Sequence, residues 1–338
     1  MFRILLMSLL AMFAGPLCAA DHAHPIQVHK DIPWAQTAAK TLTMDIYTPQ
    51  SDGGRLPVVV MVHGGGWLIN DNHIMDSAAR YLAEHGNFVV ANLNYRLLGD
   101  NHNRTTMNEI VEDVFGGVLW VKEHIDDYGG DPTEVGITGD SAGGHLSAMV
   151  LTAGRRLSSQ GFRNEPRGFK PTYLPAGKTA EQVAAEDGLA VQAAVLSYGA
   201  FDLYSEAQHG FESPDNIFWK LGGVSARGLF GDGITAQANP DYYRAVSPLY
   251  LIPARSDDQL PPTLAFVGSE DKTIPPAAVK QFVDKMRAAG QPITFKIYPG
   301  KNHAFLDSGC NKYLGNCFAK DAPDTLDDMI AFFDQHLR

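Results

Sequence analysis

The chain has 338 residues, of which 45% are apolar and 19% are charged, and its formal net charge at pH 7 is −11. This composition is ordinary for a globular protein. The acidic charge, with no cluster of lysine or arginine, argues against a nucleic-acid partner. By length alone the chain could hold two domains, but α/β folds of this size often form one.

The first twenty residues have the pattern of a secretory signal peptide. Arg3 is followed by an apolar run that is too short for a stable bilayer span, and Ala19 and Ala20 are small residues suited to cleavage. We therefore expect residues 1–20 to be removed, with cleavage after Ala19 or Ala20. Residues 21–338 would then form a single domain that is secreted or periplasmic. An uncleaved membrane anchor is the alternative.

After this segment, apolar β-rich runs alternate with helical patterns, which predicts a parallel sheet covered by helices. The predicted strands are, in chain order, IQVHKDIPWA, KTLTMDIYTP, LPVVVMV, NFVVANLNYRL, EVGIT, VQAAVLSYG, PTLAFVGS and ITFKIYPG. The first two resemble an antiparallel pair, so the sheet has about eight mostly parallel strands. Helices are predicted over MNEIVEDVFGGVLWVKEHIDDYG, AGGHLSAMVLTAG, PAAVKQFVDKMRAAG and DTLDDMIAFFDQHL.

Two stretches break this alternation. Residues 154–190 are polar and loop-rich, and residues 202–250 carry many aromatic side chains among glycine and proline. A long, non-periodic insertion in a compact domain is usually a functional lid or a pocket wall. A surface excursion with its own small core is the alternative.

Cysteine usage agrees with export. If Cys18 is removed with the signal peptide, Cys310 and Cys317 remain, in the segment CNKYLGNC. Two cysteines close in sequence in an oxidising compartment indicate a disulfide, with a pair of free thiols as the alternative. A structural zinc site needs four ligands, so this pair implies no metal.

The segment GDSAG follows the strand EVGIT and opens a predicted helix. This is the G-x-S-x-G pattern in the strand–turn–helix context that presents a nucleophilic serine, here Ser141. Side chains at positions 139 and 143 would collide with neighbouring backbone in so tight a turn, so Gly139 and Gly143 are needed there. The N–H group of Ala142, at the start of the helix, can donate to a developing oxyanion.

The segment HGGGW, residues 63–67, directly follows the buried strand LPVVVMV. Its glycines, Gly64, Gly65 and Gly66, leave backbone N–H groups free to face a reacting oxygen, as in loops that supply oxyanion donors. A flexible turn is the alternative, but large residues such as His63 and Trp67 would be unusual in a mere linker.

Candidates for the acid and the base follow two later strands. Asp271 comes after PTLAFVGS and His303 comes after ITFKIYPG, which gives the chain order Ser, Asp, His. A neutral imidazole near Ser141 can take its proton, and a carboxylate can hold the ring in the required tautomer. Glu270 and Asp202 are alternative acids, although the pattern D-x-x-I-P favours Asp271. Five other histidines lie in helical or inserted regions and are expected to be structural or surface groups: His73, His124, His145, His209 and His336.

The segments HGGGW, GDSAGGHL, VGSEDKTIPP and KNHAF, together with LTMDIYTP and AVSPLY, resemble signatures of the α/β-hydrolase superfamily. Within it, the chain is similar to the hormone-sensitive-lipase-like carboxylesterases and to the feruloyl- and acetyl-xylan-esterase-like group. The resemblance covers nearly the whole chain after the signal peptide. It implies an α/β-hydrolase fold with helices on both faces of the sheet and a lid or cap insertion.

By position, the resemblance implies that Ser141 is the nucleophile, Asp271 the acid and His303 the base. It assigns the oxyanion donors to Gly65, Gly66 and Ala142. Asp140 would order the HGGG loop through hydrogen bonds rather than serve as the acid of the triad.

The function implied is a secreted serine carboxylesterase that hydrolyses small acyl or aromatic esters, of the feruloyl or acetyl type, through an acyl-enzyme. The substrate would be a small ester, with a polysaccharide-linked ester as one form, and no cofactor is implied. A peptidase of the prolyl-oligopeptidase type and an arylformamidase-like amide hydrolase are alternatives on the same fold. A non-catalytic binding protein on a hydrolase scaffold is a further alternative. The oligomeric state is left open.

Overall fold

The computed structural model describes residues 23–51, 53–165 and 167–338. The predicted signal peptide, residues 1–20, lies outside these ranges. Within them, no helix combines the length and the apolar character needed to cross a membrane.

Eight strands form the main sheet. They are β1 (Ile26–Gln36), β2 (Thr41–Pro49), β3 (Leu56–Val62), β4 (Val89–Leu93), β5 (Gly130–Asp140), β6 (Ala193–Ser197), β7 (Thr263–Gly268) and β8 (Ile293–Tyr298). Their spatial order is β1-β2-β4-β3-β5-β6-β7-β8. Strand β2 runs antiparallel to β1 and to β4, and the remaining neighbours are parallel. The prediction of about eight mostly parallel strands is therefore confirmed.

Helices follow most of the strands. They are α1 (Asp76–Gly86), α2 (Asp100–Asn103), α3 (Met107–His124), α4 (Ala142–Ala153), α5 (Ala180–Ala185), α6 (Leu203–Gln208), α7 (Ile217–Gly222), α8 (Pro240–Ala245), α9 (Pro276–Ala288), α10 (Phe318–Asp321) and α11 (Pro323–Leu337). Helix α1 packs against α11, and α3 packs against α4, in the layers that cover the sheet. A small separate hairpin consists of β9 (Cys310–Asn311) and β10 (Asn316–Cys317).

The central strands are buried on both faces. Every residue of β4, β6 and β7 is buried, and β3 is buried from its second residue onward. Strands covered by helices on both faces are expected to be continuously apolar, which matches VVVMV in β3 and AAVL in β6. The edge strand β1 differs, because Trp34 is its one buried residue and its pairing with β2 shifts register near Lys30 and again near Pro33.

The two insertions lie in different places. Residues 154–190 include α5 and a cluster in which Phe162 packs against Phe169 and against Phe230 of the second insertion. Residues 202–250 contain α6, α7 and α8. Of the two, the second contributes α7 to the cavity described below.

Candidate active site

The carboxyl ends of the parallel strands bring the predicted site residues together. HGGGW follows β3, Ser141 follows β5, and the loops that carry Asp271 and His303 follow β7 and β8. In an open α/β sheet, this edge is where ligands bind. The arrangement therefore places four separate segments of the chain around one site.

Ser141 occupies a sharp turn between β5 and α4. Its backbone has φ 51° and ψ −114°, a conformation that costs energy for a residue other than glycine. A Cβ on Gly143 would overlap the carbonyl oxygen of Val62, and a Cβ on Gly139 would overlap the carbonyl of Gly143. These close approaches explain the glycine on each side of the serine.

His303 lies between Ser141 and Asp271. Its Nε2 is 2.9 Å from Oγ of Ser141, and its Nδ1 is 2.7 Å from Oδ2 of Asp271. The other carboxylate oxygen of Asp271 accepts the N–H groups of Thr273 and Ile274, at 2.9 and 2.8 Å. Because an ionised carboxylate only accepts, Nδ1 carries the ring proton and Nε2 is free to accept from the serine hydroxyl.

The two alternative acids lie elsewhere. Glu270 accepts a hydrogen bond from the hydroxyl of Ser269. Asp202 caps the start of α6 by accepting the N–H of Ser205, and it also accepts the hydroxyl of Tyr250. Of the three candidate acids, Asp271 is the one that contacts the imidazole.

The HGGGW loop is held from two sides. The N–H of Gly64 donates to Oδ1 of Asp140 at 2.7 Å, as expected for an aspartate that orders this loop. The hydroxyl of Tyr95 donates to the carbonyl of His63 at 2.7 Å, and the two rings stack with centroids 4.3 Å apart. Burial raises the pKa of Asp140 and lowers the pKa of His63 to about 4, so the histidine is neutral at physiological pH.

Candidate backbone donors lie in two segments of the site. Gly65 and Gly66 have φ of 118° and 58°, and Gly65 lines the same cavity as Ser141. Across the described part of the chain, neither glycine donates its N–H to a protein group. Ala142 is the first residue of α4, where an N–H has no acceptor within the helix. These groups are available to a negatively charged oxygen.

His145 links three parts of the site. Its Nε2 is 2.7 Å from the carbonyl of Val246, and its Nδ1 is 3.2 Å from the indole Nε1 of Trp67. Burial lowers the pKa of His145 to about 4, so the ring is neutral, donates from Nε2 and accepts the indole N–H at Nδ1. His145 thus joins α4 to the HGGGW loop and to the second insertion, a structural role that its place in a helix suggested only in general terms.

Tyr198 is a site residue that the sequence analysis missed. Its ring lies against that of His303, with centroids 4.9 Å apart, and its backbone has φ 37°. Its position immediately after β6 is the signal that could have found it, because residues at the carboxyl ends of parallel strands meet at the site.

A cavity of about 560 Å³ contains Ser141 and His303 in its lining. Apolar and polar side chains contribute to it, among them Ile69, Asn70, Ile74, Ile217, Phe218, Leu221, Thr273, Asp307, Asn311, Tyr313 and Leu314. Ile217 and Leu221 are 56% and 61% exposed, and Tyr313 is fully exposed. Large apolar side chains therefore surround the entrance.

Asp307 is an acidic group of this lining that neither the triad nor the HGGGW loop uses. Its carboxyl group has no hydrogen-bond or ion-pair partner within the described ranges. Burial, together with the charge of Asp140, raises the pKa of Asp307 well above its usual range. The carboxyl group thus has hydrogen-bonding capacity that a ligand in the cavity can use.

Cys310 and Cys317 are joined by a disulfide that closes the β9–β10 hairpin. Asn311, Tyr313 and Leu314 of this hairpin belong to the cavity lining. In the ranges that the structure covers, no group of three or more histidine, cysteine, aspartate or glutamate side chains could hold a metal ion.

Comparison with known proteins indicates the family and the fold of the chain. A family model described as BD-FAE matches residues 44–286. Isoprenylcysteine alpha-carbonyl methylesterase ICME of Arabidopsis thaliana is 29% identical over 266 residues, which are 78% of this chain and 54% of that protein. The probable carboxylic ester hydrolase LipM of Mycobacterium tuberculosis is 32% identical over 256 residues, 75% of this chain and 50% of that one. The chain thus spans about half the length of these curated relatives.

Among solved structures, a truncated form of a carbohydrate esterase from gut microbiota superposes with a TM-score of 0.67. The match covers 94% of this chain and 98% of that one, with 19% sequence identity. At this identity the likeness establishes the fold.

Proposed function

Since this chain belongs to the BD-FAE family, within the α/β hydrolases, we propose that it is a serine carboxylesterase. The observation that carries the proposal is the hydrogen-bonded series Ser141, His303 and Asp271. Ser141 and His303 line a cavity together with Gly65, whose N–H donates to no protein group among the described residues. A nucleophile, a base and an orienting acid in this geometry are suited to acyl transfer.

In the first half of the reaction, Oγ of Ser141 attacks the ester carbonyl carbon while Nε2 of His303 takes the hydroxyl proton. The negative charge that develops on the carbonyl oxygen is stabilised by the N–H groups of Gly65, Gly66 and Ala142. The intermediate then collapses, His303 gives its proton to the departing alcohol, and the acyl group remains on the serine.

In the second half, water takes the place of the alcohol. His303 accepts a proton from the water, whose oxygen attacks the acyl carbon. When this second intermediate collapses, the proton returns to Oγ of Ser141 and the carboxylic acid is released. Throughout, Asp271 remains ionised and stabilises the imidazolium.

The substrates that we propose are small acyl or aromatic esters of the feruloyl or acetyl type. Phe218, Ile217 and Leu221 supply apolar contacts for an aromatic acyl group. Asp307 and Asn311 supply donors and acceptors for hydroxyl groups of the alcohol, such as those of a polysaccharide-linked ester. One protein with this fold is itself described as a carbohydrate esterase, which supports a sugar ester as the natural substrate.

We further propose that the protein is secreted or periplasmic. The signal-peptide pattern of residues 1–20 supports this location. The disulfide between Cys310 and Cys317 supports it as well, because such bonds persist in oxidising compartments.

The proposal is tested by hydrolysis of p-nitrophenyl acetate and methyl ferulate, with protein produced from the full chain. We expect both esters to be hydrolysed and Ser141→Ala to abolish turnover.

Asp271→Asn should lower kcat by about 10⁴-fold, because the wrong histidine tautomer is then favoured. Asp202→Asn, a change of the same kind at the alternative acid, should leave kcat within about twofold, since surface changes away from the site are usually small. An intact protein that cleaves neither ester, or only an aryl formamide, would contradict the carboxylesterase assignment.

Asp307 provides a test of the alcohol side of the site. We expect Asp307→Leu to lower kcat/KM for an acetylated xyloside by about tenfold, because the loss of one hydrogen bond to the substrate weakens binding by about that factor. The same change should affect p-nitrophenyl acetate much less, because its leaving group has no hydroxyl to bind. Asp307→Asn, which keeps a polar side chain of the same shape, is the matched control. An equal loss for both esters would exclude a role in recognising the alcohol.

A further inference from the structure

The hairpin closed by the disulfide is bonded directly to the backbone of His303. The amide Nδ2 of Asn316 donates to the carbonyl oxygen of His303. On the other side, Oδ1 of Asn302 accepts the N–H of His303 at 2.9 Å, and Nδ2 of Asn302 donates to the carbonyl of Leu314 at 3.0 Å. Both polar backbone groups of the histidine are therefore held by asparagine amides that belong to the hairpin or bind to it.

The backbone at this point needs such support. Ala304, the next residue, has φ 59°, a conformation that an alanine adopts only when its surroundings enforce it. Asn316 is 7% exposed, so its amide competes with little water for the carbonyl of His303. The loop that presents the base is thus fixed by contacts from the hairpin rather than by its own preference.

The hairpin is too small to be stable without further constraints. It has two residue pairs, Asn316 with Asn311 and Cys317 with Cys310, and it forms a sheet separate from the main one. Even a full-length two-stranded hairpin is only marginally stable in water. A covalent link between residues seven positions apart removes much of the freedom of the open chain. The disulfide is therefore the covalent constraint on the position of Asn316, beside the hydrogen bonds from the N–H groups of Cys317 and Phe318 to Asp321 and Gly309.

We propose that Asn316 is a positioning residue for His303, and that the Cys310–Cys317 disulfide keeps it in place, so that reduction of this bond slows the reaction. The proposal rests on the serine carboxylesterase function proposed above. Loss of the constraint lets the imidazole leave the 2.9 Å contact with Oγ of Ser141. Misplacement by about 1 Å can cost about 10²-fold in rate.

The first experiment uses dithiothreitol, which converts the disulfide into two thiols and is itself oxidised to its cyclic disulfide. We expect reduction of the wild-type protein, verified by thiol alkylation and mass, to lower kcat for p-nitrophenyl acetate by about 10- to 100-fold. KM should change by less than about threefold, since a displaced imidazole impairs the chemical step more than the binding of a small ester. The double variant Cys310→Ser/Cys317→Ser should match the reduced protein and should not respond to dithiothreitol. Fully reduced wild-type protein with unchanged kcat would overturn the proposal.

The second experiment leaves the disulfide intact. Asn316→Asp replaces the donor by an acceptor that repels the carbonyl of His303, and we expect the same loss of kcat with little change in KM. Lys312→Ala, in the same hairpin but exposed, is the matched control and should have wild-type kcat. If reduction unfolds the protein, as judged by circular dichroism, Asn316→Asp decides the question, and a normal kcat in that variant would overturn the proposal.

A third measurement does not depend on turnover. The imidazole resonances of His303 in ¹⁵N-histidine-labelled protein, assigned by comparison with Asp271→Asn, should shift when the disulfide is reduced. Unchanged resonances would overturn the positioning role. If the oxidised protein hydrolysed no ester at all but these resonances shifted, the esterase proposal would fail while the link between the hairpin and His303 would stand.

Discussion

The loop that carries Gly65 and Gly66 depends on single residues outside any motif. The hydroxyl of Tyr95 donates to the carbonyl of His63, and both groups are buried. A buried carbonyl that loses its partner costs about 1–3 kcal/mol. In this loop the loss would also displace the segment that holds the proposed oxyanion donors. Both the rate of the reaction and the stability of the protein should therefore decrease.

We therefore expect Tyr95→Phe to lower kcat for p-nitrophenyl acetate by about tenfold and to lower the melting temperature. Steady-state kinetics and thermal unfolding measure the two effects. Tyr128→Phe is the matched control, because the hydroxyl of Tyr128 has no hydrogen bond in the described part of the chain. If Tyr95→Phe were less stable but had a normal kcat, the loop would keep its position without this bond.

Residues of the triad could be predicted from the sequence because each one follows a strand of a parallel sheet. For Ser141 the signal is local, since glycines two positions away on each side define the turn. Tyr95 and Asn316 give no such signal. Their hydrogen bonds reach a carbonyl 32 and 13 residues away, and such contacts depend on how the loops pack.

At the scale of elements, α7 determines the entrance of the cavity. Its Ile217 and Leu221 are exposed apolar side chains that line the same cavity as Ser141. A ligand that covers them removes apolar surface from water, which favours binding. Covering part of such a side chain is worth about 1 kcal/mol. An aromatic acyl group could cover them, whereas an acetyl group is too short to do so.

Accordingly, Ile217→Ser/Leu221→Ser should raise KM for methyl ferulate by about 5- to 20-fold and leave KM for p-nitrophenyl acetate nearly unchanged. The comparison of KM for the two esters is the measurement. Ile297→Ser is the matched control, because Ile297 is also an exposed isoleucine but lies on the edge strand β8, outside the cavity lining. Equal changes for both esters would show that α7 does not contact the acyl group.

Elements differ in how far the sequence predicts them. Helices α3, α4, α9 and α11 and all eight strands of the sheet were predicted, because long periodic or continuously apolar runs identify them. Helix α1 was not predicted, because its buried face consists mostly of alanine and gives a weak apolar pattern: Ala78, Ala79, Leu82 and Ala83. Helix α7 has six residues, too few for a period to show. Tertiary packing rather than local pattern specifies these two helices.

For the whole molecule, α3 is where the 154–190 insertion is attached. The N–H of Lys170 donates to the carboxyl of Glu112 at 3.1 Å, and the N–H of Thr172 donates to the carbonyl of Glu112 at 3.0 Å. Next to it, Arg96 pairs with the fully buried Asp113 at 2.7 Å. Burial raises the pKa of Glu112 from 4.5 to about 7. The attachment of the insertion is thus sensitive to pH.

Because the folded state holds the proton of Glu112 more tightly than the unfolded state, stability is lost as the pH rises from 4.5 to about 7. Glu112→Gln keeps an acceptor for Lys170 and has no proton to lose. At pH 8 we expect the variant to melt about 2–4 °C above the wild-type protein, with the difference vanishing near pH 4.5. Glu134→Gln, on β5, is the matched control. A variant that melts lower than the wild-type protein at pH 8 would contradict this assignment.

The general architecture of the molecule was predictable, and the resemblance to α/β-hydrolase carboxylesterases is confirmed at the level of the family. The positions of the two insertions in the fold were not predictable. Polar, aperiodic segments such as 154–190 and 202–250 give no indication of where they pack. Their placement follows from side chains such as Phe162 and Glu112 that contact distant parts of the chain.

The irregular edge strand β1 has a consequence for the protein at high concentration. An exposed edge offers unpaired backbone groups to the edge of a second copy, which is a common start of aggregation. In β1 the register breaks twice, Lys30 places a charge at the first break, and Pro33 beside the second break lacks an N–H group. A neighbouring chain therefore meets no continuous row of donors and acceptors there, which favours colloidal stability.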